Sequence, residues 1–326
     1  MNDFLQRRRS TLDPPRFQGW GRRRSYFEGW YFKLVVPVRN LAYALIPGIS
    51  YDRDGNGHAF LQVLDGVSAR SQYHRYPTGD FQPARDRFAL RLGPHYFDTF
   101  GLRVELPDLQ IEVDFLSPTP WPRTAAAPGV MGWYGFVPRM QCYHGLVSLH
   151  HGLAGHLTVN GRRHAAEGGT GYTEKDWGSG FPTAYVWGQS NHLSGTDRPA
   201  SLMVSYARIP WLGSSFTGFL ATFLFGGRLH LFTTWNGAGA QGKRLTDDRV
   251  ALRFEHRGSI LEVSGPPSSG GTLASPVDNA GMTGKVNEDM TAELDVQFTP
   301  ATPGEPAYTG TAHWSGWELM NISDLL

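Results

Sequence analysis

Leu109-Gln110-Ile111-Glu112-Val113-Asp114-Phe115 alternates apolar and polar side chains without a fault. Successive side chains of an extended strand point to opposite faces, so this run reads as a strand with one buried and one wet face. The same period of two recurs at Val250 to Phe254, Ile260 to Val263 and Leu229 to Phe232, while helical periodicity is almost absent. Asp54-Gly55, Asn160-Gly161, Gly226-Gly227 and Arg257-Gly258 stand between such runs at hairpin spacing. Short strands joined by tight turns predict an all-β chain built from antiparallel barrels or sandwiches.

The rest of the composition bounds what such a chain does. With 326 residues, 40 Gly, 22 Pro and 13% aromatics it is a folded, turn-rich protein with room for two medium domains. Thirty basic side chains against 29 acidic ones leave a net charge of +1, which gives no field for nucleic acid and excludes it as a partner. The single cysteine, Cys142, excludes intramolecular disulfides and Cys-rich zinc or iron–sulfur sites, and fits a cytoplasmic location. The start, MNDFLQRRRSTLDPP, has no apolar stretch behind its basic residues, so no secretory signal is expected and the mature chain is expected to begin near residue 1. The runs Arg7 to Arg9 and Arg22 to Arg24 read as a solvated, flexible tail over residues 1–20 and its continuation, with peripheral membrane contact as the second reading.

Two further stretches stand out. Ile209 to Gly227 has no charged residue in 19 positions, but Pro210, Gly213, Gly218 and the break at Gly226-Gly227 make it a β-hairpin rather than a membrane span. Ser117 to Arg139 holds five prolines together with Trp121, Trp133, Tyr134 and Phe136, and reads as a loop packed over a cavity mouth.

Chemistry concentrates in Gly171-Tyr172-Thr173-Glu174-Lys175-Asp176-Trp177-Gly178. On a strand Tyr172, Glu174 and Asp176 share one face, and Lys175 and Trp177 the other. A phenol and two carboxylates facing an apolar cavity would favour a protonated acid, which is what a general acid requires; the plainer reading has both acids in solvent. Tyr185, Trp187, Gln189 and Asn191 alternate in the same way. In Tyr26 to Lys33, Glu28, Trp30 and Phe32 lie on one face and Phe27, Tyr31 and Lys33 on the other, as in a strand buried on both sides. His144, His150, His151 and His156 lack a further ligand at zinc spacing, so no metal is expected, and His144 reads as an acid–base partner or a core residue. Phosphate-cradling, dinucleotide-binding and nucleophile-elbow motifs are all missing, which leaves no support for a cofactor.

At these clusters the sequence resembles the tocopherol cyclase family: YFEGWYFKLV at Tyr26 to Val35, YTEKDWGSGFPTAYVWGQSN at Tyr172 to Asn191, and TWNG at Thr234 to Gly237. The family is similar in turn to the carotenoid hydratases. The resemblance implies two lipocalin-like antiparallel β-barrel domains packed together, over residues 21–180 and 181–326. It implies a cofactor-independent enzyme that protonates the prenyl double bond of a quinol so that the phenolic oxygen closes a chromanol ring, as in vitamin E biosynthesis. Glu174 or Asp176 would be the acid, with Tyr172 and His144 in the proton network. Glu28, Trp30, Trp177, Trp187, Gln189, Asn191 and Trp235 would line the site of an apolar prenylated quinol or terpenoid. Asp176 stands where the plant enzymes have Asn, so this site carries an extra acid. A lipocalin-like carrier of an isoprenoid and an isoprenoid hydratase are the alternative readings.

Overall fold

The structure, a computed structural model, describes residues 3–124, 127–138, 140–211, 213–246 and 249–326. It divides into two compact units, residues 1–181 with 274–285, and residues 182–273 with 286–326. The division falls between Phe181 and Pro182, beside the expected boundary at 180. Residues 274–285, inside the span expected for the second domain, are counted with the first unit. Their ties within it include a hydrogen bond from Gln62 Nε2 to Ala274 O at 3.0 Å and one from Ser25 Oγ to Asn279 Oδ1 at 2.7 Å.

The first unit opens with a helix, α1 (Asp3–Thr11), and continues in strands. These are β1 (Tyr26–Val36), β2 (Leu41–Tyr51), β3 (Gly57–Asp65), β4 (Arg70–Tyr76), β5 (Phe81–Pro83) and β6 (Ala89–Leu92). They are followed by β7 (His95–Asp98), β8 (Gly101–Glu105), β9 (Leu109–Leu116), β10 (Cys142–Val159), β11 (Arg162–Ala165) and β12 (Thr170–Gly178). The sheet order is β4-β3-β2-β1-β12-β10-β9-β8-β7-β6-β5, with β11 on β10. Strand β9 buries every second residue, as its alternation requires, and β1 is buried along both faces. One face of β1 supplies Trp30, Phe32, Leu34 and Val36 to a core shared with Leu45, Phe97, Val113 and Phe115.

The second unit contains β13 (Tyr185–Ser190), β14 (His192–Leu193), β15 (Ser201–Trp211), β16 (Ser214–Phe225), β17 (Arg228–Thr233) and β18 (Gly239–Thr246). Then come β19 (Arg249–His256), β20 (Ser259–Gly265), β21 (Gly271–Val277), β22 (Gly281–Thr299) and β23 (Tyr308–Met320), of which residues 274–277 of β21 and 281–285 of β22 are counted with the first unit. The order is β17-β16-β15-β13-β23-β22-β20-β19-β18. All pairings given for both sheets are antiparallel, for example β1 with β12 and β13 with β23. The uncharged stretch from Ile209 forms hairpins with its neighbours, and Gly226 and Gly227 turn the chain at φ of 59° and 77°. Val186, Val204, Phe223, Phe254 and Trp317 fill the core of this unit.

Residues 3–20 are built into the first unit and do not trail from it as the flexible tail expected. Phe17 is buried in the core, and the backbone carbonyls of Pro14 and Arg16 accept hydrogen bonds from the Lys175 ammonium, the former at 2.8 Å. The same ammonium meets Glu28 Oε1 at 2.6 Å, and neither side chain has any exposure. Glu28 also accepts from the backbone of Gln18 and Gly19 and from Tyr26 Oη. The proline- and arginine-rich segment is ordered because it supplies the oxygens and amides that a buried ion pair lacks. The loop from Ser117 is anchored by backbone bonds between Thr119 and β10, and it buries Trp121 while leaving Trp133 and Phe136 exposed. Ala125, Ala126 and its final residue, Arg139, lie outside the described residues.

Removing one member of a buried ion pair strands the other. Lys175→Met is therefore expected to cost about 3–5 kcal/mol in denaturant unfolding, and adding Glu28→Gln to recover part of that loss.

Candidate active site

Strand β12 carries two centres, one on each face. Its register sets Tyr172 against Lys33 and Glu174 against Tyr31 on β1, and Asp176 against His144 and Glu174 against Leu146 on β10. Opposed residues of an antiparallel pair project to the same side, so alternation on β12 and register with β10 together bring His144 to the two carboxylates.

The contacts are close. Tyr172 Oη donates to Glu174 Oε2 at 2.5 Å, His144 Nε2 lies 3.4 Å from the same oxygen, and His144 Nδ1 is 2.9 Å from Asp176 Oδ1. The Cys142 thiol, which sequence reasoning missed, reaches Asp176 Oδ1 at 3.7 Å. Both contacts to Asp176 fall on Oδ1, and its side chain retains 23% exposure against 5% for Glu174. Met131, from the proline-rich loop, takes the backbone N–H of His144 on its sulfur at 3.1 Å.

Electrostatics fix who holds the proton. Burial disfavours a charged imidazole, but Asp176 and Glu174 on either side outweigh it and push His144 up to about 10. Tyr172 is held well above the usual phenol range by burial and by the Glu174 charge, and Cys142 well above the thiol range by burial and by Asp176. The cluster is thus an imidazolium between two carboxylates, with a neutral phenol and a neutral thiol at its ends. Donor atoms of His144, Glu174 and Asp176 lie within 4.8 Å of one another, the set among the described residues that offers metal-type donors. A protonated imidazole is no metal ligand, so a cation would first have to displace that proton.

Glu28, Trp30 and Trp177, expected in the substrate site, stand on the other face of β1 and β12. The Glu28 carboxylate is occupied by Lys175, Tyr26, Gln18 and Gly19. The indoles of Trp30 and Trp177 lie 4.9 Å and 4.6 Å from Lys175 Nζ. These rings do stabilise a cation, but it is the buried ammonium. Burial lowers Lys175 to about 8 against the pull of Glu28, and raises Glu28 against the pull of Lys175.

In the second unit Trp187 and Gln189 are buried on the face of β13 opposite Val186 and the core. Trp187 pairs in register with Ser205 and Glu318, and its ring rests over Gly316, where an added Cβ would stand 2.8 Å from it. Tyr185 Oη donates to Glu318 Oε2 at 2.9 Å. Asn191 follows the strand and accepts from Gln189 Nε2 at 2.9 Å. Trp235 sits half-buried in a turn after β17, which Asn236 closes by accepting from the backbone of Thr233 and Ala238.

The fold is a two-domain, lipocalin-like β architecture with a largely buried cluster of His144, Glu174, Asp176 and Tyr172. The chain belongs to the tocopherol cyclase-like family, whose sequence pattern matches residues 112–309. It is 25% identical over 179 residues to the Oryza sativa subsp. japonica protein named "Probable tocopherol cyclase, chloroplastic"; the match takes in 54% of this chain and 38% of that protein. The crystal structure of CghA superposes with a TM-score of 0.54 at 11% identity, covering 90% of this chain and 88% of that one. Kievitone hydratase from Nectria haematococca gives a TM-score of 0.44 at 10% identity, over 92% and 89% of the two chains.

A histidine whose folded pKa is raised contributes its full stabilisation below its unfolded value and loses it as pH rises through the folded one. For His144 that window runs from about 6.5 to about 10. Imidazole NMR is expected to find His144 charged at pH 8, and Asp176→Asn to move its titration downward.

Proposed function

We propose that this protein is a cofactor-independent cyclase that closes a prenylated quinol to a chromanol. The observation that carries the reading is the imidazolium of His144 bracketed by Glu174 and Asp176, with Tyr172 hydrogen-bonded to Glu174. Membership of the tocopherol cyclase-like family supports it.

The reaction is an isomerisation whose protons balance within the site. The His144 imidazolium passes its proton through one of the flanking carboxylates to the less substituted carbon of the prenyl double bond, leaving a tertiary cation. The phenolic oxygen attacks that cation, forming the C–O bond, and its O–H proton returns through the same carboxylate to His144. The carboxyl pair does the exchange, Asp176 from the more open position and Glu174 from the buried one. His144 holds the proton between them, and Tyr172 keeps Glu174 oriented. Burial of the cluster keeps water from competing for the cation.

Positioned acid–base groups are worth about 10² to 10⁴ in rate. Glu174→Gln and Asp176→Asn preserve shape and remove the exchange, so each is expected to lower turnover of a prenyl quinol by that order. The product is detected as a chromanol of unchanged mass and altered retention. Full turnover by Glu174→Gln contradicts the assignment, a product heavier by one water indicates a hydratase, and quinol bound without product by the unaltered protein indicates a carrier.

A further inference from the structure

Among the described residues, β15 and β16 run together beyond their rungs to β13 and β17. The last rungs to β13 are Tyr185 with Ala207 and a backbone bond from Arg208 N to Ala184 O at 3.0 Å. On the other side β17 reaches β16 only at Leu220, with one more backbone bond at Phe219. Among the described residues, the strand pairing of Ile209 to Trp211 and of Ser214 to Gly218 is between β15 and β16. The result is a projecting two-stranded ribbon.

Its side chains are sorted. Ile209 is opposed by Phe216 and Trp211 by Ser214, so Ile209, Trp211 and Phe216 share one face, and Ile209 also packs over Gly218. Trp211 is 42% exposed and Pro210 is exposed beside it. The described residues of the ribbon beyond Arg208 carry no charge, within an uncharged stretch of 19 positions. Arg208 itself stands exposed at the base, opposite Thr217. Trp211 lies three residue steps along the strand from Arg208, about 10 Å at 3.3–3.4 Å per residue.

We propose that this ribbon is an interfacial anchor whose tip enters the surface of a lipid bilayer. An uncharged tip bearing Trp, Ile, Pro and Phe costs little to place among headgroups and upper acyl chains, where indoles concentrate. Interfacial segments bury about 5–10 Å, which leaves the guanidinium of Arg208 at the level of lipid phosphates. The outer edges of the ribbon, beyond the described rungs to β13 and β17, limit it to that depth, because backbone groups without a strand partner are too costly in the hydrocarbon interior. This anchor rests on the apolar substrate class proposed above: a prenylated quinol dissolves in lipid, and an enzyme that draws it from there needs a foothold. It differs from docking through Arg7 to Arg9 and Arg22 to Arg24, which would require anionic lipid.

The test is flotation of the full chain with phosphatidylcholine vesicles, with and without phosphatidylglycerol, comparing the unaltered protein with Ile209→Ser/Trp211→Ser. The expected result is binding to neutral vesicles that varies less than threefold between low and high salt and falls at least tenfold in the double variant. Turnover of a short-chain, water-soluble prenyl quinol stays unchanged in that variant, while turnover of vesicle-embedded quinol falls in step with binding. If no quinol is turned over by either protein the proposed reaction fails, yet flotation still decides the anchor. Equal flotation of the two proteins, binding that appears only with phosphatidylglycerol, or a double variant that merely changes from dimer to monomer in size-exclusion chromatography overturns it.

Discussion

The buried contact between Lys175 and Glu28 is the constraint on which the first unit is arranged. An ammonium with no exposure needs several oxygens and a counter-charge, and it obtains them from three places in the chain: Glu28 on β1, and the carbonyls of Pro14 and Arg16 in the N-terminal segment. Glu28 in turn collects the amides of Gln18 and Gly19 and the hydroxyl of Tyr26. Neither group is satisfied unless β1, β12 and residues 14–19 are all in place. The pair therefore acts as a geometric lock on the two central strands more than as a net source of stability, since burying both charges is itself costly.

That lock positions the proposed chemistry because Lys175 stands between Glu174 and Asp176 in sequence. Strand alternation turns Lys175 to one side and its two neighbours to the other, so fixing the lysine fixes the acids. The residual rotation of the carboxylates is taken up by Tyr172, His144 and Cys142. Charge is separated in the same way: a cation between two indoles on one face, and an imidazolium between two carboxylates on the other.

Much of this was legible in the residues. Alternation in Leu109 to Phe115 sufficed for a strand, and paired turn residues such as Asn160-Gly161 sufficed for hairpins, because both depend on local sterics. The common face of Tyr172, Glu174 and Asp176 followed from the same period. The approach of His144 did not, because the β10 to β12 ladder shifts register around Ser148 and places the histidine by a bulge that no spacing rule encodes. Burial of Lys175 was hidden by the usual preference of lysine for water. Order in residues 14–19 was hidden because its partners are backbone carbonyls and amides, which every sequence has. The one available signal was chemical oddity: Glu28 is the sole acid among the aromatics of its strand.

Residues 274–285 have a consequence for how the chain is made. The first unit includes a piece that leaves the ribosome about a hundred residues after Phe181, so domain-by-domain folding during synthesis finds that unit unfinished until most of the second has been delivered. Within it, the Gln62 amide must wait for Ala274, and the Ser25 hydroxyl for Asn279. Completion of the two units is thereby interleaved in time, although each has its own core.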